Sequence, residues 1–385
     1  MFLHLGETVF HALVEGPPPT ADRAPVLMLH SIGTNLHLFD PQAAALARNH
    51  HVIRMDLRGH GLSGVTRGPY SMSLHARDAL ALLDALGVRK AHVVGVSLGG
   101  HLLGDAPAEA PGRVVSLVLM DTAAEFPPPD AWQQRIDIVG AQGMAGLVDM
   151  VMPRWVTDAS LASSQGLRRM LLATDAEGYA GSSAALRDAR AAEIAGRISC
   201  PATVVVGERD VPTPVGAAEA LRDMIPGSRL VIIPEAAHLP TLERAEASTA
   251  AILDHLAALE PQPSLEGGFA IRKATLGEAH VARAQANVTS LDAAFQEWIT
   301  ENVWGGIWTR PGLTRHQRSM LVLAVTAALG RHEEFELHLR ATRNTGVTPE
   351  EIGELLLQVG AYAGVPAANS AIRIAKRILQ EDSPA

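Results

Sequence analysis

Gly95-Val-Ser-Leu-Gly99 lies between a β-rich run, His92 to Val96, and a stretch suited to helix. A serine with glycine two residues to either side, at a strand-to-helix junction, is the pattern of a nucleophile elbow. The small neighbours let a strained turn lift the hydroxyl above the edge of a sheet. Outward from this point, buried-strand runs occur at Val26 to Leu29, His51 to Met55 and Val114 to Met120, and a helical pattern spans Ser73 to Leu86. Strands alternating with helices predict a parallel sheet with crossovers. From about Thr122 to Ala195 the chain reads as mostly helical. Strand signals return at Ala202 to Val206 and Arg229 to Ile233, followed by a helix from Thr241 to about Ala258. One α/β sheet interrupted by a helical insertion accounts for residues 1–258.

Two further residues complete the chemistry. Asp210 ends a strand-then-turn segment, and His238 follows a strand and a loop, so the chain order is Ser97, Asp210, His238. That order is the one found in α/β-hydrolases. A serine hydroxyl is a weak nucleophile until a base takes its proton, which His238 can do, while Asp210 fixes the imidazole tautomer. The oxyanion needs donors. The Leu98 amide, next to the nucleophile, supplies one, and the Ile32 amide in Leu29-His-Ser-Ile-Gly-Thr34 is the candidate for the second. His30 and Ser31 either contact substrate or pack against the elbow. Asp121 also ends a strand and is a rival acid. Asp56-Leu-Arg-Gly-His-Gly61 reads as a structural turn, and His50, His51, His92 and His101 as ordinary core or surface histidines.

The segment Glu260-Pro-Gln-Pro-Ser-Leu-Glu-Gly-Gly268 reads as part of a linker over 259–268. Residues 269–385 then become all-helical, with helices expected at Leu276 to Ala286, Ser290 to Thr300, Thr314 to Leu329, Glu333 to Thr345, Pro349 to Ala363 and Pro366 to Gln380. Thr314 with Gln317, and Thr348 with Glu351, form capping-box signatures. Arg331, Glu334 and His338 stand at i, i+3, i+7 and are expected on one helix face. A Glu-x-x-x-His pair alone is too small a ligand set for zinc or iron, so no metal is expected.

Composition narrows the function classes. The 385 residues suit two or three domains, and 47% hydrophobic against 19% charged residues describes a globular chain. The most apolar stretch, Met320 to Leu329, is ten residues long, half of what a membrane span needs. A net charge of −9 without a basic block argues against nucleic acid and anionic membranes. The single cysteine, Cys200, allows no internal disulfide or cysteine-based zinc site. With no signal peptide read at the N-terminus, the expectation is a cytoplasmic protein.

Two family resemblances emerge from these motifs. His30-Ser-Ile-Gly-Thr-Asn35, Asp56-Leu-Arg-Gly-His-Gly61, Gly95-Val-Ser-Leu-Gly-Gly100, Ala237-His-Leu239, Met170-Leu-Leu-Ala-Thr174 and Glu177-Gly-Tyr179 resemble the 3-oxoadipate enol-lactonase branch of the α/β-hydrolases over about residues 1–258. The resemblance implies a helical cap at about 122–195. His30 departs from the asparagine often found there. A substrate carboxylate calls for a cation, and Arg135 and Arg154, near Trp132 and Trp155, are the candidates. Trp304-Gly-Gly-Ile-Trp-Thr-Arg-Pro-Gly-Leu313, Arg315-His-Gln-Arg-Ser319, Ala328-Leu-Gly-Arg331 and Ala363-Gly-Val-Pro-Ala-Ala-Asn369 resemble 4-carboxymuconolactone decarboxylase over about 269–385. His338 matches the histidine of that superfamily's Cys-x-x-Cys-x-x-x-His helix, whereas Arg331 and Glu334 replace its cysteines. Thiol redox chemistry is thereby excluded.

The resemblance implies cofactor-free decarboxylation, with His338 as acid or electrostatic donor, Glu334 orienting it and Arg331 holding a carboxylate. Together the halves imply a bifunctional enzyme of protocatechuate degradation acting on small lactones, assembled as a homo-oligomer through its C-terminal domain. The alternative is a general esterase or cofactor-free haloperoxidase fused to a silent helical oligomerisation domain.

Overall fold

A computed structural model describes residues 1–19, 23–101, 112–126, 128–190, 192–259, 263–310 and 312–381. The chain forms two compact units, Met1–Leu259 and Glu260–Ala385.

The N-terminal unit is built on eight strands: β1 (Phe2–Leu5), β2 (Thr8–Glu15), β3 (Val26–Leu29), β4 (Val52–Met55), β5 (Ala91–Val96), β6 (Val114–Met120), β7 (Ala202–Gly207) and β8 (Arg229–Ile233). Their order in the sheet is β1-β2-β4-β3-β5-β6-β7-β8. From β4 to β8 every neighbouring pair is parallel, and β1 and β2 add an antiparallel edge. The central strands β3 and β4 are buried throughout, as parallel strands covered on both faces must be. The expected strands are all present to within one residue. The β1–β2 hairpin was not foreseen, because His4 and His11 break the apolar alternation that marks a half-buried strand.

Between β6 and β7 the chain leaves the sheet to form the helices Pro129–Gln142, Val148–Trp155, Ala162–Ala173 and Ala176–Asp188. This is the expected helical insertion. The Asp56 turn is structural, as read: its carboxylate accepts from the Leu36 and Leu62 amides at 2.8 and 2.9 Å and meets His11 Nδ1 at 2.9 Å. Arg58, buried beside it, pairs with Asp78 at 2.7 Å and Glu7 at 2.8 Å.

The C-terminal unit is all helical, and both capping boxes, Thr314 with Gln317 and Thr348 with Glu351, are formed. Its core is Leu323, Phe335, Leu339, Leu356 and Ile378 with their neighbours. The expected linker needs correction. Residues 260–262 of it lie outside the described residues, but Ser264 caps a helix that already spans Leu265–Leu276. Gly267 and Gly268, read as breakers, are inside it. A Cβ at Gly268 would sit 1.8 Å from the Thr300 carbonyl oxygen, so glycine there serves close helix packing. A second correction concerns the helix expected over Ser290 to Thr300. It covers only Ala293–Trp298 and passes into a π-helix, Ile299–Ile307.

The N-terminal core holds its histidines neutral. Burial lowers the ring pKa of His60 and His75 to about 3, with neighbouring positive groups adding to the effect, and lowers His30 as well. A ring depressed below its ordinary 6.5 contributes stability that is complete above pH 6.5 and lost as pH falls toward 3. The thermal midpoint of this unit should therefore drop steadily between pH 6.5 and 4. A flat scanning-calorimetry profile over that range would contradict the buried neutral state.

Candidate active sites

β5 ends at Val96, and the helix after it begins at Leu98, leaving one residue for the turn. Ser97 takes a φ of +52°, a strained conformation for a residue with a Cβ. The turn is possible because a Cβ on Gly99 would stand 2.0 Å from the Leu29 carbonyl oxygen. Glycine lets the elbow touch the end of β3, where the Ile32 loop begins. Leu98 opens a helix, so its N–H has no acceptor within that helix. The Ile32 amide donates to no backbone carbonyl among the described residues. Both amides are available as the expected oxyanion donors.

The histidine and the acid come from the loops after β8 and β7. His238 Nδ1 lies 3.0 and 2.9 Å from the two Asp210 carboxylate oxygens. Asp210 is further held by the Thr213 amide at 3.1 Å and hydroxyl at 2.6 Å. Burial opposes its charge, but the His238 ring and these hydrogen bonds bring Asp210 below the usual carboxylate range. Asp121 lies close by: its Oδ1 accepts from the Gly207 amide at 2.8 Å, and its Oδ2 is buried without a partner. Burial, then the Asp210 charge, pushes the Asp121 carboxyl well above its usual range. Asp121 forms no hydrogen bond to His238, whose Nδ1 is taken by Asp210.

Ser97, His238 and Ile32 line one cavity of about 370 Å³ with Arg135, Arg154 and Trp155. All six, and Trp132 which also lines it, are named from the sequence alone; Phe126, Val151 and Pro212 complete the wall. Arg135 is buried and its guanidinium stacks 4.3 Å above the Trp132 ring. Arg154 has its pKa lowered by burial and by Arg135, and its Nε has no partner. Neither arginine forms an ion pair among the described residues. Ser31 is fully buried and absent from the cavity lining. His30 is structural, with its Nδ1 on the Ser31 carbonyl at 2.8 Å and its Nε2 accepting from the Leu57 amide at 2.9 Å. His101 and His92 are held by the Ala123 carbonyl and Ser116 hydroxyl, as core histidines.

In the C-terminal unit His338 is buried on helix His332–Arg340. Its ring lies nearly parallel to Trp304 and Trp308, with centroids 6.3 and 6.1 Å away. Burial lowers its pKa to about 4, the Glu334 charge opposing this and His280 adding to it, and Nδ1 has no partner. His338 is thus a neutral imidazole with a free nitrogen beside two indoles. It is fitted to donate a hydrogen bond, not to act as a strong acid. The expected arrangement of its helix needs correction. Arg331 is an exposed cap residue outside the helix, not on the His338 face, and Glu334 is exposed and does not hydrogen-bond His338. Glu334 acts on the ring through charge alone.

Sequence reasoning missed Arg272, which is buried and bonds Thr300 Oγ1 at 3.1 Å and Gln296 Oε1 at 3.3 Å. It falls on the helix hidden by the linker-like composition. A lone arginine in an Ala-rich helix carries no spacing signal.

An elbow serine and a histidine–aspartate pair, carried on the carboxyl ends of a parallel sheet, are compatible with a hydrolase of the α/β type. Comparison with known proteins agrees and extends this to the second unit. Residues 24–149 match the alpha/beta hydrolase fold family and residues 293–377 the carboxymuconolactone decarboxylase family. The chain is 44% identical over 114 residues, 30% of its length, to 4-carboxymuconolactone decarboxylase of Acinetobacter baylyi, covering 85% of that protein. It is 34% identical over 236 residues, 60% of its length, to 3-oxoadipate enol-lactonase 2 of the same organism, covering 88% of it. The crystal structure of the enol-lactonase from Burkholderia xenovorans superposes with a TM-score of 0.64 at 32% identity, over 67% of this chain and 100% of that one. The chain belongs to the α/β-hydrolase family through its N-terminal unit and to the carboxymuconolactone decarboxylase family through its C-terminal unit.

The two acids can be separated by mutation. Asp210→Asn should lower kcat for ester hydrolysis by roughly 10³–10⁴-fold, since the amide imposes the wrong imidazole tautomer. Asp121→Asn keeps an oxygen to accept from the Gly207 amide and should cost less than about tenfold. The reverse ranking in a p-nitrophenyl ester assay would make Asp121 the catalytic acid.

Proposed function

We propose that the chain is a bifunctional enzyme catalysing consecutive steps of protocatechuate degradation by the 3-oxoadipate route. The C-terminal unit decarboxylates 4-carboxymuconolactone to 3-oxoadipate enol-lactone, and the N-terminal unit hydrolyses that lactone to 3-oxoadipate. The observation that carries this reading is the pairing itself. One chain joins relatives of two enzymes, and the product of one is the substrate of the other.

In the hydrolytic step His238 takes the proton from Ser97 Oγ as it attacks the lactone carbonyl, and the imidazolium rests against Asp210. The Ile32 and Leu98 amides receive the tetrahedral oxyanion. The leaving group is an enol that tautomerises to the ketone, so ring opening needs little acid assistance. Water then attacks the acyl-enzyme with His238 as base. Arg135 and Arg154 neutralise the substrate's side-chain carboxylate, which explains two uncompensated guanidiniums beside a nucleophile. Trp155 walls the lactone ring.

Decarboxylation needs no external electron sink. When the carbon–carboxylate bond breaks, its electron pair moves through the unsaturated ring onto the lactone carbonyl oxygen, and a proton returns to the ring carbon next to that carbonyl. A neutral donor of low basicity suits the developing oxyanion, and His338 is such a group. Glu334 restrains the fall of its pKa.

A homo-oligomer formed through the C-terminal unit is part of this reading. Leu321, Val325 and Leu329, four residues apart, are 51%, 52% and 66% exposed, and Leu357 and Tyr362 are 67% and 89% exposed. These lie in two apolar segments, Met320 to Leu329 and Glu354 to Gly364, which supply the interface in this reading. A cytoplasmic location fits a chain with one cysteine. No described helix is long and apolar enough to cross a membrane.

Wild-type protein given 4-carboxymuconolactone should yield 3-oxoadipate, whereas Ser97→Ala should stop at the enol-lactone. His338→Ala should slow loss of the carboxymuconolactone absorbance by about 100-fold or more; a loss below tenfold removes His338 from the chemistry. Failure of wild type to consume the lactone would refute the decarboxylase assignment. In light scattering, wild type should exceed the 40.7 kDa of one chain, and Leu357→Glu with Val325→Glu should lower the mass. A monomeric wild type would refute the interface.

A further inference from the structure

Four arginines are buried among the described residues: Arg54, Arg58, Arg135 and Arg272. Arg54 is paired with Glu15 and Asp40, and Arg58 with Asp78 and Glu7. The other two have no carboxylate partner. Arg135 faces the Ser97 cavity, where a substrate carboxylate supplies the missing charge. Arg272, in the other unit, poses the same problem. It is 8% exposed, its guanidinium meets only the neutral oxygens of Thr300 and Gln296, and its Nε has no partner at all. A buried cation without a counter-ion is destabilising, and an anionic ligand would relieve it.

Its surroundings connect it to His338. Thr300, which Arg272 bonds, lies one turn before Trp304 on the π-helix, and Trp304 stacks against the His338 ring. His280 is electrostatically coupled to both Arg272 and His338. The guanidinium without a counter-ion and the imidazole with an unpartnered Nδ1 are thus joined through one element, the π-helix that carries Thr300 and Trp304.

We infer that Arg272, with Thr300 and Gln296, is the subsite for the carboxylate that the substrate keeps. This rests on the decarboxylase reading of the C-terminal unit. The lactone carries two carboxylates, one lost as CO₂ and one retained on the side arm, and the distinction decides where a cation is useful. Pairing an arginine with the departing carboxylate would stabilise the ground state and lose that stabilisation as the charge moves into the ring. Only interactions kept or strengthened in the transition state accelerate the step. A cation on the retained carboxylate anchors the molecule without that penalty. The departing group is left to a region of indole and neutral imidazole, where a carboxylate is poorly solvated and readily gives up CO₂. The bond broken joins the ring carbon to this carboxylate, its electron pair ends on the carbonyl oxygen beside His338, and solvent supplies the returning proton.

The test uses the full chain carrying Ser97→Ala, so that decarboxylation is followed without hydrolysis. Arg272→Met should raise KM for 4-carboxymuconolactone by about 30-fold or more while leaving kcat within about tenfold, and Arg272→Lys should recover part of the loss. The parent should prefer the diacid over the analogue esterified on the side arm by a similar factor, and Arg272→Met should abolish that preference. Removing an unpaired buried charge should leave the thermal midpoint at or above that of the parent, which separates lost binding from lost folding. A variant that keeps the preference for the diacid, or loses kcat with KM unchanged, overturns the subsite while the decarboxylase reading stands. If the parent does not decarboxylate the diacid, that reading fails instead. Calorimetric titration with the same diacid then decides the subsite alone: Arg272→Met must remove one of two binding events, and an unchanged isotherm overturns it.

Discussion

The hydrolytic site depends on a backbone contact too close for any side chain. Where the helix after β5 begins, Gly99 approaches the Leu29 carbonyl so nearly that a methyl group would overlap it. The contact joins two elements distant in sequence, the turn that carries Ser97 and the loop that carries the Ile32 amide. Ser97 sits in a strained conformation because the strand before it and the helix after it are both fixed. The Asp56 turn secures the same region from below. Its carboxylate holds the Leu36 amide, and the next residue, Leu57, donates to His30 in the oxyanion loop. Elbow, loop and turn are therefore tied to one another by direct contacts.

What could be read from the sequence follows from how local each signal is. The His238–Asp210 pair was legible because both residues follow strand-like runs, and chain order restricts the partners. The parallel strands were legible as continuous apolar runs. The capping boxes were legible because both partners lie within one turn. The β1–β2 hairpin was hidden by histidines at alternating positions. The helix Leu265–Leu276 was hidden by its two glycines, of which Gly268 packs against Thr300 and Gly305, contacts more than thirty residues away that no local window can detect. The arrangement of Arg331, Glu334 and His338 failed for a related reason. The i, i+3, i+7 spacing holds only inside a helix, and the helix starts after Arg331. Arg272 could be found only by its burial and lack of a counter-ion, which are properties of the fold.

Charge compensation gives the two units a common logic. Where the chain buries arginine for structure it supplies carboxylates, and where it buries arginine at a site it withholds them. Arg135 stacks on the Trp132 ring in one unit, and Arg272 bonds the neutral oxygens of Thr300 and Gln296 in the other. The two sites differ in what they do with imidazole. His238 Nδ1 is held by both oxygens of the buried Asp210 carboxylate. His338 has no bonded carboxylate and is kept neutral by burial to about pH 4, as a donor to an enolate oxygen requires. The same side chain is thus turned to opposite tasks by its neighbour: a buried, hydrogen-bonded carboxylate in one case, and two indole faces with a distant exposed glutamate in the other. A carboxylate moved to within hydrogen-bonding distance of His338 would raise its pKa and convert the donor into a base, which is chemistry that loss of CO₂ does not need.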